Sequence, residues 1–441
     1  MRQKLDPSLI PSRVTRVASA LRESSGRAFL VGGPVRDLLL GKEPVDWDIA
    51  TDLPPDKVLE VFPGATKVGI EFGRMQVDGV DVVSLRAESG YRDRRHPSRV
   101  VFGVSIEEDL RRRDFTINAM AAEFDGLVII DPFGGREDLE RRIIRAIGEP
   151  SERFSEDPLR TLRAIRFEAA LDMDLHPSVA AALPEAGILL RQVSGERVFA
   201  ELSRILVSPR VQRGMKDMAA FGLAPVVLPE VFAGNRPGAH LADRLGRALS
   251  LSAPDLVTRM ALVFAVGMGY LGSGGKGSGC SLEEVLRAAQ AAFRRFNVAG
   301  PIRRDAAWVL RNVGDQGFAG RALAAGEDDY GYLARRLLDE AGREQVERLL
   351  DVERAAWAAA GKSGLPPAAA AVASGLEGET EESHFPVTLA LTGDDVVRIL
   401  GDRGRAVGEA LEYLKEIVLR DPRRNEPSSL ERALRERWRP R

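Results

Sequence analysis

The residues whose types and spacing suggest chemistry most directly are Asp46-Trp47-Asp48. On a strand, side chains at i and i+2 share a face, so both carboxylates would point one way and Trp47 the other. Two like charges side by side on a sheet are costly unless a cation sits between them, and a hard divalent ion with oxygen ligands, Mg²⁺ above all, suits that place. About a dozen residues upstream lies Gly32-Gly33-Pro34-Val35-Arg36-Asp37. A glycine pair at a strand-to-helix junction lets backbone N–H groups approach an anion, the helix N-terminus favours negative charge, and Arg36 offers a fork of donors to phosphate oxygens. A phosphate cradle beside a metal-binding carboxylate pair is what nucleotidyl transfer requires. Each motif alone also fits a blander role, a solvated strand end or a tight turn.

Further along, Asp157, Arg160 and Arg163 are spaced by threes and lie on one ridge of a helix. Arg166 falls within the arc of Leu159, Leu162 and Ala169, where a buried arginine needs a partner. Asp157 before Pro158 also reads as a plain N-cap. Gly272 to Gly277 matches G-x-G-x-x-G, but it leads into the capping box Ser281 to Glu284 within a helical region and reads as a helix–helix loop. No G-x-x-x-x-G-K-[ST] occurs, which argues against a P-loop NTPase. The pairs Arg294-Arg295, Arg303-Arg304, Arg335-Arg336 and Arg423-Arg424 could meet phosphates, although each alone suits a solvated helix surface.

The elements that must position these residues change in kind along the chain. Up to about Ile147, strands and helices alternate: an apolar run Ala28 to Val31, a helix opening near Pro34 and stopping at Gly41, and a second strand Val45 to Ala50. A hairpin, Met75 to Val77 and Val80 to Leu85, turns at Asp78-Gly79, and Ser105 with Glu108 caps a short helix. From about Ser155 the strand signals nearly vanish and helical patterns continue to the end, interrupted at Gly272 to Ser281 and by an expected linker from Gly361 to Pro386. The expectation is an α/β head with a small mixed sheet (1–147), followed by an all-α neck (148–210), body (211–360) and tail (361–441). There is no internal repeat.

Composition narrows the classes. The chain has 441 residues, 44% hydrophobic and 29% charged, with 63 Lys+Arg against 65 Asp+Glu for a formal net charge of −2. That is ordinary globular composition, and it excludes a uniformly basic nucleic-acid binder while leaving room for a locally basic face. A single cysteine, Cys280, rules out an intramolecular disulfide and any multi-thiolate metal site. With no signal-peptide core at the N-terminus and no run of about 18 apolar residues, a cytoplasmic protein with no membrane partner is expected.

Six motifs in order, GGPVRD, DWDIAT, RRDFTINAMA (Arg112 to Ala121), DPFGG (Asp131 to Gly135), EDPLRTLRAIRF (Glu156 to Phe167) and ERVFAELSRIL (Glu196 to Leu206), closely resemble the bacterial class II tRNA nucleotidyltransferase and poly(A) polymerase family of the polymerase beta superfamily. The resemblance is strong across residues 28 to 206 and weaker beyond, where Pro386 to Leu400 looks like the start of that family's tail. It implies template-independent addition of CCA, from CTP and ATP, to the 3′ end of tRNA, with no obligate protein partner. Asp46 and Asp48 would hold two Mg²⁺ ions, with Asp81 a third carboxylate at a position that is usually Glu. Gly32, Gly33, Arg36 and Arg113 would meet the incoming nucleotide, with Asp114 and Asn118 near its ribose and Arg163 and Arg166 around it. Asp157 and Arg160 would choose the base.

The donor arithmetic agrees with that last role: cytosine and adenine each present an amine donor beside a ring-nitrogen acceptor, and guanine and uracil the reverse, so one carboxylate and one guanidinium accept C and A. Phe62 to Gly69 looks like the tRNA-directed type rather than a poly(A) polymerase. A full-length loop, Arg86 to Val101, including Tyr91, Arg94, Arg95, His96 and Pro97, argues against an enzyme that adds CC only. An enzyme adding only the terminal A remains open from sequence. None of the four histidines (His96, His176, His240, His384) precedes Asp, so the His-Asp phosphohydrolase module of some relatives is absent. Two departures from the family pattern stand out near the loop: Arg74 where Thr or Ser is common, and Val83-Ser84-Leu85-Arg86. In a different class, a non-catalytic RNA-binding relative would have no need of the clustered carboxylates.

Overall fold

The tetrapeptide Ala-Phe-Leu-Val at Ala28–Val31 (β1) is buried at every position, the mark of a central strand covered on both faces. In this computed structural model, which describes residues 4–91, 97–232, 238–271, 280–379 and 385–438, the other strands of the first part are Asp48–Thr51 (β2), Thr66–Lys67 (β3), Arg74–Val77 (β4), Val80–Ser84 (β5), Arg86–Tyr91 (β6), Pro97–Phe102 (β7), Ala121–Glu123 (β8) and Val128–Ile130 (β9). Seven of them form one mixed sheet in the order β3-β4-β5-β2-β1-β8-β9, and β6 and β7 make a separate hairpin. Only β2 and β5 run parallel within that sheet, in a register that sets Asp48 opposite Asp81. The β4–β5 turn has positive φ at both Asp78 and Gly79, as a type I′ hairpin requires.

Helices α1 (Ser12–Glu23), α2 (Gly33–Leu39), α3 (Pro55–Val61), α4 (Ile106–Arg111) and α5 (Gly135–Glu140) accompany the sheet. Phe29, Val31, Ala50 and Leu85 from its strands and their ends pack with Ile106 and Leu110 of α4 in one core cluster. Ser105 closes a complete capping box with Glu108 at the start of α4. A two-residue parallel pair, Ile143–Ile144 (β10) with Asp174–Leu175 (β11), follows. Helices α6 (Pro150–Glu156), α7 (Leu159–Leu171), α8 (Pro177–Gly187), α9 (Gly195–Leu206), α10 (Val211–Ala220) and α11 (Ala224–Val227) complete a compact unit ending at Val227.

The second unit starts at Leu228, and all its described elements are helical: α12 (Pro229–Phe232), α13 (Gly238–Leu251), α14 (Leu256–Ala265), α15 (Leu282–Arg295), α16 (Gly300–Asn312), α17 (Phe318–Ala324), α18 (Tyr330–Ala359, broken at Gly342), α19 (Pro367–Leu376), α20 (Gly393–Leu400), α21 (Arg405–Arg420) and α22 (Pro427–Arg437). Val396, Leu414, Leu430 and Leu434 centre a cluster shared by the last three helices. No helix among the described residues is long and apolar enough to cross a membrane.

Two expectations need correction. The second strand begins at Asp48 rather than Val45, so Asp46 lies in the bend before it. Pairing starts there because the partner strand offers its first ladder group at Asp81, whose N–H donates to the Trp47 carbonyl at 2.9 Å. The stretch from Gly361 to Pro386 is not a plain linker, because α19 occupies its middle. Pro366 sits at the N-cap and the following alanines are the strongest helix formers, so a composition that looks featureless buries Ala368, Ala369, Ala371 and Val372. Most of Gly272 to Ser281 and five residues of the expected loop, 92–96, which include Arg94, Arg95 and His96, lie outside the described residues. Only the strand backbone of Tyr91 and Pro97 is described. The capping box at Ser281 and Glu284 is present.

Candidate active site

A cleft of about 520 Å³ in the first unit gathers most of the singled-out residues: Gly33, Arg36, Asp48, Arg113, Asp114, Asn118, Asp157, Arg160, Arg163 and Arg166. Its walls come from three places: the β1–α2 junction, the turn after α4, and the arginine ridge of α7. Gly32 caps α2 with φ +73°, a conformation open to glycine, and a Cβ there would run into the Arg113 guanidinium. Gly32 therefore serves close approach, with Arg113 pressed over it, whereas Gly33 has room for a side chain. Arg36, on the first turns of α2, donates to Asn118 Oδ1 at 2.7 Å and to Asp37 Oδ1 at 2.8 Å.

The carboxylate end of the cleft is made by β2 and β5. Asp48 is half-buried, Asp46 is exposed and Trp47 between them is buried, so the alternation expected of a strand holds through the bend. Burial raises the Asp48 pKa from its ordinary value; Arg113 and Arg74 oppose the rise, whereas Asp81 and Asp46 add to it. Arg74, at the start of β4, donates to Asp81 Oδ2 at 2.6 Å and lines the cleft beside Asp48. Among the described residues, no group of three or more His, Cys, Asp or Glu side chains is arranged as a metal cage. Asp48 alone of the three carboxylates lines the cleft, Asp46 and Asp81 lie close enough for their charges to act on it, and Asp81 is already paired with a guanidinium. That donor set fits a hard divalent ion such as Mg²⁺, which keeps open positions for phosphate oxygens and water. Arg113 Nε is buried without a hydrogen-bond partner, in keeping with a site whose arginine has donors to spare.

Along α7 the arginines are held apart from one another by carboxylates. Asp114, 7% exposed, accepts from Arg163 Nε at 2.6 Å, from Asn118 Nδ2 at 3.2 Å and from the Phe115 N–H at 2.8 Å. Burial works to raise its pKa, but the Arg163 charge and these hydrogen bonds outweigh it and hold the carboxyl at about 2. Arg166 forms an ion pair with Glu201 of α9 at 2.9 Å, without the alignment of a hydrogen bond. Burial, reinforced by the neighbouring Arg163, pulls Arg166 down to about 10. Arg36, Arg163 and Arg166 all stand within 5.5 Å of the Phe167 ring centroid, so the aromatic face adds cation–π attraction to the cluster.

Asp157 and Arg160 are in the cleft but do not pair with each other. Arg197 of α9 holds Asp157 at 3.0 and 3.2 Å, and the Leu159 N–H reaches Asp157 Oδ1 at 3.3 Å, a local cap. Arg160, 8% exposed, donates to Glu156 Oε2 and to the Arg153 carbonyl, each at 2.9 Å. The acceptor and the donor are thus separately anchored, each with hydrogen-bonding capacity left over. Glu156, Arg197 and Glu201 sit within the sequence motifs, yet sequence reasoning assigns them no role. Their signal is charge on otherwise apolar helix faces, at i and i+4 in α9, opposite arginines spaced by threes in α7.

The chain is similar to known proteins in both sequence and fold. Residues 28–145 match the "Poly A polymerase head domain", and residues 172–234 match the "Probable RNA and SrmB- binding site of polymerase A". The CCA-adding enzyme of Levilactobacillus brevis is 43% identical over 211 residues, 47% of this chain and 53% of the relative. That of Pediococcus pentosaceus is 43% identical over 206 residues, 46% and 52% of the two. The chain thus spans about half the length of the curated relatives it matches. Over nearly the whole length, a crystal structure of the Bacillus stearothermophilus CCA-adding enzyme in complex with CTP superposes with a TM-score of 0.71 at 28% identity, covering 98% of each chain. The Thermotoga maritima CCA-adding enzyme complexed with tRNA shares the fold, with a TM-score of 0.61 at 20% identity over 98% and 97% of the two chains. Residues 28–145 and 172–234 are thus similar to the head and RNA-binding regions of the poly A polymerase family, and the fold of the whole chain is that of the CCA-adding enzyme structures.

Proposed function

We propose that the protein is a nucleotidyltransferase that adds C, C and A, from CTP and ATP, to the 3′ end of tRNA. The observation that carries this reading is the cleft itself, in which a half-buried carboxylate, a glycine-lined anion cradle and a separately anchored Asp157 and Arg160 face one space. Asp46 and Asp48 would hold the Mg²⁺, and when bound it would supply the Lewis acidity that activates the primer 3′-hydroxyl and offsets charge on the triphosphate. Asp81, tied to Arg74, contributes negative potential beside that pair. Gly32, Gly33, Arg36 and Arg113 bind the phosphates through backbone N–H groups and guanidinium forks. Asp114 and Asn118 orient the ribose, and Arg163 and Arg166 screen the charge of the bound nucleotide. Asp157 accepts from the exocyclic amine of C or A while Arg160 donates to the ring nitrogen.

In this reading residues 1–147 are the catalytic head and 148–210 the neck that reads the base, while 211–360 and 361–441 are the body and tail that meet tRNA. Action on tRNA makes the cytoplasm its working compartment. The test is incubation of the full chain with Mg²⁺, labelled CTP or ATP, and three primers: tRNA ending at the discriminator base, tRNA ending in CC, and oligo(A). Full CCA on the first primer is the expected result. ATP addition to the CC-ending tRNA alone would make it an A-adding enzyme, and stopping after CC a CC-adding one. Long tails on oligo(A) would make it a poly(A) polymerase, and no incorporation anywhere would leave a non-catalytic RNA binder.

A further inference from the structure

The second unit contains a hollow of about 590 Å³ between α15, α16 and α18, similar in size to the nucleotide cleft but unlike it in how its charges are used. The arginine pairs of the sequence separate here. Arg295 is tied to Glu230 at 2.8 Å, Arg335 to Glu379 at 3.0 Å and Arg423 to Asp421 at 3.0 Å. Arg294, Arg303, Arg304 and Arg311, by contrast, have no side-chain partner among the described residues, are all exposed, and all line this one hollow. Four unpaired guanidinium groups converging from two helices repel one another and favour an anion between them.

The floor is different in character. Phe293, Ala307 and Trp308 supply apolar surface that a bare anion would not use, and the Trp308 indole is fixed in place by donating to Glu340 Oε1 at 3.1 Å. Beside it, just after the break in α18 at Gly342, Gln345 Oε1 is buried with no donor. A buried acceptor left unmade is costly, so the hollow calls for an N–H at that point. An anionic group, a flat apolar body and an N–H donor are together the chemistry of a nucleotide.

We propose that this hollow is a second nucleotide-binding site, taking one nucleoside monophosphate unit with its phosphate on the arginine rim, its ring against the Trp308 wall and a ring or amine N–H donating to Gln345 Oε1. The unit could be supplied by a free mononucleotide or by an unpaired nucleotide of an RNA chain. Only the RNA source rests on the proposed tRNA activity.

Equilibrium dialysis of the full chain against radiolabelled AMP, without divalent ion and at low salt, is the test. Arg303→Glu/Arg304→Glu and, separately, Gln345→Leu should each bind one AMP fewer per chain than the wild type, or bind it at least tenfold more weakly, with melting temperatures unchanged because the first pair is exposed and the third change is of similar size and removes an acceptor that makes no hydrogen bond. Filter binding of tRNA then identifies the source. A matching tenfold loss of tRNA affinity in both variants assigns the site to an RNA nucleotide, and unchanged tRNA affinity assigns it to the free mononucleotide. Equal AMP stoichiometry and affinity in wild type and both variants would overturn the proposal. So would a loss of tRNA binding in the charge-reversed variant with AMP binding unaltered, since the arginines would then be only a diffuse cationic patch. If incorporation from CTP and ATP fails but AMP binding is lost as described, the catalytic reading falls and this one stands.

Discussion

Asp114 in the first unit and Glu353 in the second are both buried carboxylates, 7% and 5% exposed, and their environments push them in opposite directions. Asp114 meets a guanidinium and is held at about 2. Glu353 of α18 meets only the Gly314 N–H, and burial, with the Asp315 charge adding to it, pushes it up to about 7. The difference shows what burial does by itself and what it does with a cation in reach. In the cleft Asp114 is balanced by a guanidinium in contact with it and so stays ionised at neutral pH, whereas Asp48, with no ion pair among the described residues, is shifted upward by burial. In the helical unit a lone acid is kept close to its titration point and serves packing instead.

The sharpest break of that comparison is to remove a carboxylate proposed to hold the metal. Asp48→Asn keeps the shape of the side chain and lowers the local charge. We expect nucleotide incorporation to fall by at least about 1,000-fold, because oriented charge at the reacting centre is usually the largest catalytic contribution. Thermal melting should be unchanged, as Asp48 has no ion-pair partner among the described residues whose loss would leave a buried charge. Retained activity would mean that the carboxylate pair is not the metal site.

Removing the paired acid should cost stability instead. Asp114→Asn leaves Arg163 with only its longer ion pair to Glu201, at 3.8 Å, within an arginine cluster, and breaking a buried pair of this kind costs about 3 kcal/mol. Replacing both residues, Asp114→Asn with Arg163→Met, should recover much of that loss, and a double-mutant cycle on urea melts measures the recovery. The pH dependence follows from the depressed pKa of Asp114. The stabilisation it brings is complete above about pH 4 and is lost as the pH falls through about 2. The loss amounts to about 2 kcal/mol, because a tenfold difference in proton affinity between the folded and unfolded chain is worth about 1.4 kcal/mol. Acid melts of the single variant should lack that component.

Glu353 gives the opposite sign. A carboxyl whose folded pKa lies above its unfolded value stabilises fully below about pH 4.5, and that contribution is lost as the pH rises through about 7. Glu353→Gln should therefore stabilise the second unit by about 3 kcal/mol at pH 8 and leave it nearly unchanged at pH 4, read as a shift in the urea midpoint. A destabilised variant at pH 8 would show that the ionised form makes interactions beyond the Gly314 N–H.

The same contrast explains what was legible in the sequence. The head was legible because its signals are local: an all-apolar β1, an Asp-Gly turn, a capping box, and glycines where Arg113 crowds the backbone. Spacing marked Asp48, Arg36 and the α7 ridge as candidates, and the resemblance to a known family supplied the roles expected of them. The partners of those residues were not legible, because Arg197 and Glu201 reach α7 across a helix–helix contact about 40 residues away in sequence, and nothing in residue type says which arginine will take which acid. Arg74 stood out as a departure from the family pattern, but its role as the counter-ion of Asp81 depends on the β4–β5 register. In the second unit, α19 hid in an alanine stretch whose burial is set by α18 rather than by its own pattern, and Glu353 looked like any acid in a charged helix.

The smallest effect is expected at the rim of the cleft, where Arg197 holds Asp157 with both side chains partly open to solvent. Pairs with that access contribute on the order of 1 kcal/mol or less, so Arg197→Ala should melt within a degree or two of the wild type. Its consequence is positional: an Asp157 carboxylate free to rotate presents its acceptor less consistently to the amine of C or A. We expect KM for CTP and ATP to rise about threefold to tenfold with kcat little changed, and discrimination against UTP to weaken by a similar factor, since a single well-placed hydrogen bond is worth about 1 kcal/mol. Arg197 reaches both Oδ1 and Oδ2 through the single nitrogen Nη2, a contact that an ammonium can also make, so Arg197→Lys should recover most of the loss in KM. Equal losses in kcat and kcat/KM would instead assign Arg197 to the transition state, and the division of labour between a balanced cleft and a packed helical unit would have to be redrawn at that residue.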